Sequence, residues 1–351
     1  MSELVRTALA AVVDGRELSL AEAHEAMAAV MDGDATPAQL AALLVALRMR
    51  GETTAELAGF AAAMRERVLR VDAPAGAIDV VGTGGDRSGT FNISTTAALV
   101  VAAAGVPVAK HGNRAVTSRS GSADVLEALG VRTDHDELSA AAALQRDGFA
   151  FLFAPGFHPA MKFAGPTRRE IGVRTAFNLI GPLTNPAGVA RLIVGVGDPA
   201  AAPRLADVLR LLGQERALVV HGAGVDELPL DGSGIVHDVS PAGVAVSAVG
   251  LDMLAGLDLG RAPTAALAGG TPAENAAIVE SILAGATGPR RDVVVLNAGA
   301  AFVAAGRVAD LGAGVRLAAA TLDSGTPRTL LDRLRAERQA ALVGSESGNR
   351  P

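Results

Sequence analysis

Polar segments that could hold a phosphorylated ligand are concentrated between residues 79 and 130. The first of them, Gly82 to Asp86, reads Gly-Thr-Gly-Gly-Asp. Glycines let backbone N–H groups approach an anion, because a Cβ atom would block the approach and positive φ angles are needed. We therefore predict a phosphate site built from four segments: Gly82-Thr83-Gly84-Gly85-Asp86, Phe91-Asn92-Ile93-Ser94-Thr95-Thr96, Lys110-His111-Gly112-Asn113-Arg114 and Ser120-Gly121-Ser122-Ala123-Asp124.

The glycine-rich segment carries no single established signature. It does not read Gly-x-Gly-x-x-Gly, and it lacks the lysine of a nucleotide P-loop. Asp86 adds a carboxylate to a loop that otherwise favours anions, which would suit a residue that accepts hydrogen bonds from hydroxyl groups or shares a metal ion. A turn that only connects a strand to a helix is the structural alternative.

Residues 92–96 have the composition of a helix start. The unpaired N–H groups and the partial positive charge of a helix N-terminus suit a phosphate group. Ser94 could also bind a metal ion through its hydroxyl. Taken alone, however, these residues favour an ordinary N-cap, which stabilises a helix by about 1 kcal/mol.

The segment from Lys110 to Arg114 places two cations, an imidazole and an amide directly after an apolar stretch. Cations beside a core are costly unless anions pair with them, so this segment favours an anionic ligand. A single histidine is usually structural, but the density of polar neighbours favours a function for His111.

Two further charged groups lie far along the chain. Asp226 and Glu227 follow a predicted strand, and adjacent residues of an extended loop point to different sides, so they could serve two Mg²⁺ ions. A solvated charge pair is the alternative. Arg168, Arg169 and Arg174 lie on one segment. A planar guanidinium there could bind a carboxylate, unless these arginines only cover a helix surface.

The composition excludes several classes of protein. The 351 residues include no cysteine, so disulfides, thiolate nucleophiles and cysteine-based zinc sites are impossible. There is no Trp or Tyr, and the net charge is −6; both features argue against a nucleic-acid surface. No signal peptide or membrane-spanning run is evident, so we expect a cytoplasmic protein without a membrane partner.

The first 70 residues predict four helices. Residues 71–77 then interrupt the helical pattern with Pro and Gly. We predict a helical domain at 1–75, joined by helices from about 165–188, and an α/β domain at 76–345. Three helix starts carry reciprocal capping pairs, namely Ser19 with Glu22, Thr36 with Gln39, and Thr53 with Glu56.

From residue 78 onward, predicted strands alternate with predicted helices, which implies βαβ units and a mostly parallel sheet. Ligands bind such sheets at the carboxyl ends of the strands, where the loops 82–94 and 110–120 fall. The apolar run 293–304 fits a strand or a helix. The predicted strands are 78–81, 106–109, 149–153, 192–196 and 217–220, with short strands within 234–248; the predicted helices include 95–104, 123–129, 137–146 and 201–212.

Taken together, the motifs closely resemble those of the anthranilate phosphoribosyltransferase family. The resemblance covers nearly the whole chain, and its motifs are jointly specific. It implies an α/β fold shared with pyrimidine nucleoside phosphorylases. In that fold a small all-helical N-terminal domain joins a larger domain with a mostly parallel central sheet flanked by helices. The motifs include the four segments, of which the third extends from Lys110 to Ser118 and the fourth from Ser120 to Gly130. The others are His158-Pro159-Ala160-Met161-Lys162, Arg174-Thr175-Ala176-Phe177-Asn178, Gly181-Pro182-Leu183-Thr184-Asn185-Pro186 and Asp226-Glu227.

The resemblance also implies roles for individual residues. Mg²⁺, with two ions per site, would be bound by Ser94, Asp226 and Glu227. Anthranilate would contact Gly82, Asn113 and Arg168, while His111, His158, Gly181 and Pro182 would line its path. Lys110 and Arg168 would act electrostatically, and no general base is assigned. Phosphoribosyl pyrophosphate (PRPP) would be bound by Gly82, Thr83, Gly84, Gly85, Asp86, Thr90, Asn92, Ile93, Ser94, Thr95, Lys110, His111, Gly112, Asn113, Arg114, Ala115, Val116, Thr117, Ser118 and Ser122.

The implied reaction transfers the phosphoribosyl group of PRPP to the amino group of anthranilate in tryptophan biosynthesis. The family is usually homodimeric through the helical domain, and no nucleic acid is expected as a partner. One alternative is glycosyl transfer by a pyrimidine nucleoside phosphorylase, which would need a Lys-x-Ser-Gly-Arg-Gly-type loop. The other is a non-enzymatic nucleic-acid-binding relative, which would carry a basic surface and lose Asn113 and Arg168.

The chain departs from the family pattern at three places. Arg119 stands where Lys is common, and Thr167 stands where an apolar residue is usual. The segment 228–231, directly after Glu227, is also unusual.

Overall fold

A computed structural model describes residues 1–115 and 119–347 of the chain. Val116, Thr117 and Ser118, which the resemblance implies in PRPP binding, lie outside the described residues. The strands that the structure describes form one sheet; in chain order they are β1 (Ile78–Gly82), β2 (Val108–Gly112), β3 (Phe149–Phe153), β4 (Arg191–Gly195), β5 (Arg216–His221), β6 (Gly234–Ser240) and β7 (Gly243–Val249).

The spatial order of the strands is β3-β2-β1-β4-β5-β6-β7. Strands β1 to β5 are parallel, and β6 and β7 add an antiparallel hairpin at one edge. The mostly parallel sheet and the short strands within 234–248 are therefore confirmed. The chain progresses in opposite directions on the two sides of β1 and β4, so the sheet has its topological switch point there. Such a point opens a ligand crevice at the carboxyl ends of the strands.

Helices form the N-terminal region and also pack on the sheet. None of the helices in the described ranges combines the length and the apolarity that a membrane span requires. In chain order the helices are α1 (Glu3–Val13), α2 (Leu20–Met31), α3 (Pro37–Arg50), α4 (Thr54–Glu66), α5 (Ile93–Ala103), α6 (Ser122–Ala128), α7 (Glu137–Asp147), α8 (Ala154–Phe157), α9 (Met161–Ile171), α10 (Ala176–Ile180), α11 (Ala202–Leu211), α12 (Leu251–Gly256), α13 (Pro272–Leu283), α14 (Pro289–Ala304), α15 (Leu311–Asp323) and α16 (Thr326–Ser347).

Three of the four N-terminal helices, α2, α3 and α4, begin where the capping pairs predict. In α2, α3 and α4, the Ser or Thr before the helix accepts a hydrogen bond from the N3 backbone, and the Glu or Gln at N3 accepts one in return. Leu40, Leu43, Leu44 and Leu47 line the buried face of α3. Each cap contributes about 1 kcal/mol, but the buried leucines supply most of the stability of a helix this short.

Helices α9 and α10 interrupt the strand–helix alternation and pack on the N-terminal helices. α9 contacts α2 and α3, while α10 contacts α3 and α4. Ala164 and Phe177 are buried in the same core cluster as residues of those helices. The segment that carries Arg168 and Arg174 is thereby fixed against the helical region. The division of the chain at residues 75 and 76 stays a prediction.

The apolar run 293–304, which fitted a strand or a helix, belongs to the helix α14. Every residue from Val293 to Ala304 is buried, and α14 packs against α5 and α15. A helix that is buried all round loses the polar face that reveals the period of 3.6 residues, so the sequence pattern could not decide. Gly299 lies against the backbone of Gly314, where a Cβ atom would collide, and this allows α14 and α15 to approach closely.

Candidate active site

The switch point gathers the predicted polar loops at one edge of the sheet. The glycine-rich segment follows β1, the segment from Lys110 to Arg114 begins in β2, and the Asp226-Glu227 loop follows β5. β1 and β4 run side by side, with Gly82 opposite Gly195. A Cβ atom on either glycine would collide with Asp226, so both glycines are required for the carboxylate loop to reach the ends of β1 and β4.

Three carboxylates form a cluster at this edge. Oxygen atoms of Asp86, Asp226 and Glu227 all lie within 4.8 Å of one another. The Gly84 N–H donates to Asp226 Oδ2 at 2.7 Å, and the Asp226 N–H donates to Asp86 Oδ2 at 3.4 Å. Asp226 and Glu227 were predicted to bind a metal ion. For Asp86 the sequence allowed two roles, an acceptor of hydrogen bonds from hydroxyl groups or a metal ligand.

Burial and mutual repulsion disfavour the charged forms of two of these carboxylates, Asp226 and Glu227. Burial, and after it the nearby Asp86, raise the pKa of Asp226 to about 6. Burial and the two neighbouring carboxylates raise the pKa of Glu227 well above its ordinary value, and Glu227 Oε2 is buried without a hydrogen-bond partner among the described residues. Hard divalent cations bind such oxygen sets. The residues therefore fit Mg²⁺.

Lys110 is the buried cation beneath this cluster. Its side chain is 2% exposed, and its ammonium donates to the Val80 carbonyl. Burial lowers the pKa of Lys110, while the charges of Asp79, Glu227 and Asp226 oppose that shift. These three carboxylates partly offset the cost of burying the cation, and the predicted anionic ligand stays a prediction. The direct contact of Lys110 with PRPP stays a prediction.

The start of α5 differs from the ordinary N-cap that the sequence alone favoured. Asn92 occupies the N-cap position, but its side chain makes no capping hydrogen bond. It is instead bonded to Ser120 and to Asn275, which lies 183 residues away in the sequence. The plain-cap interpretation is wrong because this distant contact holds the amide aside. α5 begins at Ile93, two residues earlier than predicted, so Ser94 and Thr95 both lie in its first turn.

Two buried hydroxyls near this helix start have no partner among the described residues. They are Thr83 Oγ1, in the glycine-rich loop, and Thr95 Oγ1, in the first turn of α5. Buried hydroxyls are almost always hydrogen-bonded. The Thr95 hydroxyl, in the first turn of a helix whose N-cap side chain makes no capping bond, therefore indicates a place for an acceptor such as a phosphate oxygen.

The loop after β2 is held by acidic side chains of α6 and by a hydrogen bond to the loop backbone. Arg114 forms ion pairs with Asp124 at 3.1 Å and with Glu127 at 2.6 Å. The Asn113 carbonyl accepts from Ser122 Oγ at 3.2 Å. These contacts fix the loop at the start of α6, and the roles of Arg114, Asn113 and Ser122 toward PRPP and anthranilate stay predictions.

His111 and His158 lie together beside Gly181, and their place in the path of anthranilate stays a prediction. Their ring centroids are 5.1 Å apart, and Nε2 of each ring is buried without a partner among the described residues. Burial lowers the pKa of His111 to about 3 and that of His158 to about 4, against hydrogen bonds to the backbone of Gly181 and Thr184 respectively. Both imidazoles are therefore neutral at pH 7.

Arg168 lies in the last turn of α9 with its guanidinium over the ring of Phe177, 4.6 Å from the ring centroid. It forms no ion pair or hydrogen bond with a described residue, and burial lowers its pKa. Its neighbour Arg169 is exposed. The alternative that these arginines only cover a helix surface therefore does not hold for Arg168.

Arg174 makes a contact that sequence reasoning did not assign. Its Nη1 donates to the Gly84 carbonyl at 2.6 Å, and a Cβ atom on Gly85 would collide with the guanidinium. Gly84 and Gly85 both have positive φ angles, so the glycines serve this contact as well as the loop shape. The sequence showed the arginine and the glycines, but nothing in their spacing of ninety residues linked them.

The departures from the family pattern are accommodated. Leu228 and Leu230 are fully buried, and Asn297 of α14 holds Leu228 by accepting from its N–H and donating to its carbonyl, both at 2.9 Å. Thr167 is buried on α9, and Arg119 lies 3.8 Å from Glu274. The unusual segment 228–231 thus anchors the carboxylate loop to the core.

Comparisons with known proteins agree with this fold and site. The helical bundle domain of a glycosyl transferase family matches residues 6–68, and the α/β domain of that family matches residues 75–328. An anthranilate phosphoribosyltransferase from Chloroflexus aggregans is 53% identical over 334 residues, which are 94% of this chain and 97% of that protein. The chain belongs to the anthranilate phosphoribosyltransferase family. The family resemblance is confirmed, and the chain is a pentosyltransferase.

Other anthranilate phosphoribosyltransferases support the assignment. The protein from Azorhizobium caulinodans is 49% identical over 349 residues, which are 96% of this chain and 98% of that protein. The crystal structure from Thermus thermophilus has a TM-score of 0.88 at 47% identity and covers 95% of this chain and 99% of its own. A structure from Saccharomyces cerevisiae in complex with PRPP and Mg has a TM-score of 0.86 at 25% identity, covering 97% and 99%.

Proposed function

We propose that the chain transfers the phosphoribosyl group of PRPP to the amino group of anthranilate. The products are N-(5-phosphoribosyl)-anthranilate and pyrophosphate, and the reaction belongs to tryptophan biosynthesis. One observation carries the proposal: an uncapped helix start with orphaned hydroxyls and a carboxylate cluster lie on the same sheet edge. That edge can hold a metal-bound polyphosphate.

The PRPP half of the site lies at the carboxyl ends of β1 and β2. The N–H groups of the glycine-rich loop and of the first turn of α5 would donate to the pyrophosphate, and Thr83 and Thr95 would supply hydroxyl donors. Lys110, which is buried, would make the electrostatic potential beneath the leaving group more positive and so stabilise the departing pyrophosphate. The structure of the S. cerevisiae relative with PRPP and Mg supports this assignment.

Asp86, Asp226 and Glu227 would hold Mg²⁺, with the Ser94 hydroxyl as a further ligand. The bound ion would supply charge neutralisation to the pyrophosphate. We propose two ions per site, because a single divalent ion and Lys110 would balance only the three carboxylates and would leave the charge of the bound pyrophosphate uncompensated. Counting bound Mg²⁺ by equilibrium dialysis with pyrophosphate present tests this number.

The anthranilate half of the site lies between α9 and the end of β2. Arg168 would bind the carboxylate with its planar fork, and Asn113, Gly82, His111, His158, Gly181 and Pro182 would surround the ring. The amine needs no general base to react, because its lone pair forms the bond to C1′ while the bond from C1′ to pyrophosphate oxygen breaks. The proton then leaves the product ammonium.

Fluorescence provides the test. Anthranilate fluoresces, and the absence of Trp and Tyr keeps the protein background low. We expect the anthranilate signal to decay only when PRPP and Mg²⁺ are both present, with release of an equal amount of pyrophosphate. Parallel reactions with uridine or thymidine and inorganic phosphate test the phosphorylase alternative. Nucleoside cleavage without anthranilate consumption would overturn the proposal.

We also propose that the chain forms a homodimer through its helical domain and works in the cytoplasm. Leu4 on α1 and Val45 and Met49 on α3 are exposed, and Met49 is 83% exposed. α1 and α3 contact each other, so these side chains can form one apolar patch suited to a second copy. Light scattering should give twice the monomer mass, and Met49→Glu should shift the protein to monomers.

A further inference from the structure

The buried side chain of Asn275 connects α13 to the start of α5. Asn275 is 2% exposed and lies in the first turn of α13, where the Thr271–Glu274 capping box fixes the helix start. Its Oδ1 accepts from the Gly270 N–H at 2.7 Å, and its Nδ2 donates to Asn92 Oδ1 at 2.9 Å. Asn275 lies outside the predicted binding segments and takes no part in the proposed reaction.

The hydrogen bonds fix which way both amides face. A backbone N–H can only donate, so Gly270 requires the oxygen of Asn275 on its side, and the Asn275 nitrogen must then face Asn92. At the other end, Asn92 Nδ2 donates to the Ser120 carbonyl at 3.2 Å, and a carbonyl can only accept. Both ends of the chain of bonds therefore agree on one orientation.

This orientation has a consequence for the helix start. Asn is among the best N-cap residues because its side-chain oxygen accepts from the N–H groups of its own helix. In Asn92 that oxygen instead accepts from Asn275 and from Ser120 Oγ, the latter at 3.3 Å. The first N–H groups of α5 are thus left without a side-chain acceptor.

The same turn of α5 carries independent evidence for a ligand. Thr95 is 1% exposed, and its Oγ1 has no partner among the described residues. An Asn92 side chain that capped α5 would compete with an incoming phosphate for the N–H groups next to this hydroxyl. Because Asn275 and Ser120 hold the Asn92 oxygen away from these N–H groups, the N–H groups stay available to bind the anion.

We propose that Asn275 is a positioning residue for the pyrophosphate half of the site: it holds the Asn92 amide aside and keeps the start of α5 open to the anion. The proposal rests on the proposed function, because it presumes that PRPP binds at this turn. Without Asn275, the Asn92 amide is free to rotate and to cap its own helix or to turn its oxygen toward the anion. Either change weakens the binding of pyrophosphate.

Two variants test the role. Asn275→Ala removes the restraint. Asn275→Asp keeps the shape and the acceptor for Gly270, but it replaces the donor by an oxygen that repels Asn92 Oδ1. We expect the dissociation constant of pyrophosphate with Mg²⁺, measured by titration calorimetry, to rise roughly 5- to 30-fold in both variants. The dissociation constant of anthranilate, measured by its fluorescence, should change less than twofold.

Thr271→Ala is the matched control. It removes the cap of the same helix α13 without changing the amide contacts. We expect Thr271→Ala to lower the melting temperature, as we also expect of Asn275→Ala, but to leave the dissociation constant of pyrophosphate unchanged. A second control combines Asn275→Ala with Asn92→Ala. If Asn275 acts through Asn92, the double variant binds pyrophosphate as the Asn92→Ala variant does.

The outcomes separate the two levels of the proposal. Pyrophosphate binding that is unchanged in folded Asn275→Ala and Asn275→Asp variants would overturn the positioning role alone. Equal losses in the affinities for pyrophosphate and anthranilate would also overturn it, because they indicate general damage to the fold. Failure of the unsubstituted protein to bind pyrophosphate with Mg²⁺ would instead overturn the proposed function.

Discussion

Replacing Arg168 by alanine removes a cation that is placed to receive a carboxylate. The guanidinium lies over Phe177, at 4.6 Å from the ring centroid, and it has no acidic partner within the described ranges. Burial lowers its pKa, which means that the folded protein holds this charge at a cost. A bound carboxylate would remove that cost, and this difference is the source of the expected affinity.

The size of the effect follows from the number and kind of bonds. Hydrogen bonds to charged groups contribute about 1.5–3 kcal/mol. Losing one fork-type pair should therefore raise the KM for anthranilate roughly 10- to 150-fold. The KM for PRPP should stay within about twofold, because no described contact links Arg168 to the phosphate loops. Arg168→Lys should fall between, since it keeps the charge but loses the planar fork.

The stability of the Arg168→Ala variant, unlike its affinity for anthranilate, should not fall. Removing an unpaired, half-buried cation relieves an unfavourable charge, so the melting temperature of the ligand-free Arg168→Ala variant should be unchanged or higher. Arg169→Ala is the control, because Arg169 is the adjacent residue of α9 and is exposed. It should change neither the KM for anthranilate nor the melting temperature by more than the experimental error.

The assay combines steady-state fluorescence kinetics, at saturating PRPP and Mg²⁺, with thermal unfolding. An unchanged KM for anthranilate in Arg168→Ala would refute the carboxylate contact. A raised KM together with a large loss of stability would also refute the proposed role, since it would mean that Arg168 supports the packing of α9 in the ligand-free protein.

Three further predictions concern charge and loop position. Asp226→Asn combined with Glu227→Gln should raise the Mg²⁺ concentration for half-maximal activity and stabilise the metal-free protein, because crowded carboxylates are removed; activity and melting temperature indifferent to both changes would contradict the metal site. Burial, assisted by Arg132, lowers the pKa of His135 from 6.5 to about 4. Between pH 6.5 and pH 4 the unfolded chain therefore binds more protons than the folded protein. The contribution of His135 to the free energy of unfolding is fully present above pH 6.5 and should fall by on the order of 3 kcal/mol toward pH 4. Urea unfolding of a His135→Leu variant should show a shallower decline of this free energy with falling pH. Arg174→Ala should release the Gly84 carbonyl, so hydrogen exchange in residues 82–86 should accelerate and the KM for PRPP should rise several-fold while that for anthranilate holds; unchanged exchange would show that Arg174 does not restrain the loop.

Local features of the fold were predictable because their causes lie within a few residues. The capping pairs at Ser19, Thr36 and Thr53 are complete within one helical turn, and the structure contains all three. The alternation of strands and helices likewise fixed the parallel sheet, and with it the edge where the loops meet. α14 was not predictable by periodicity because it is buried on all sides.

Features that depend on distant residues were not predictable from spacing. Asn92 has the type and position of an N-cap, and only Asn275 shows why it does not cap. Lys110 was expected to need anions, but the sequence did not show that its ammonium lies against the Val80 carbonyl beneath the carboxylates. In each case the local preference of the residue was judged correctly, and a contact across the fold changed its outcome.

The segment from Arg168 to Phe177 joins the two halves of the site. Arg168 is placed for a carboxylate, while Arg174, six residues on, holds the glycine-rich loop through the Gly84 carbonyl. The Gly84 N–H is held from the other side by Asp226, so the loop is fixed between the carboxylate cluster and the segment that carries Arg168. α9 and α10 pack on the N-terminal helices. A shift of these helices relative to the sheet would therefore move the carboxylate-binding arginine and the phosphate loop together, because one short segment carries both contacts.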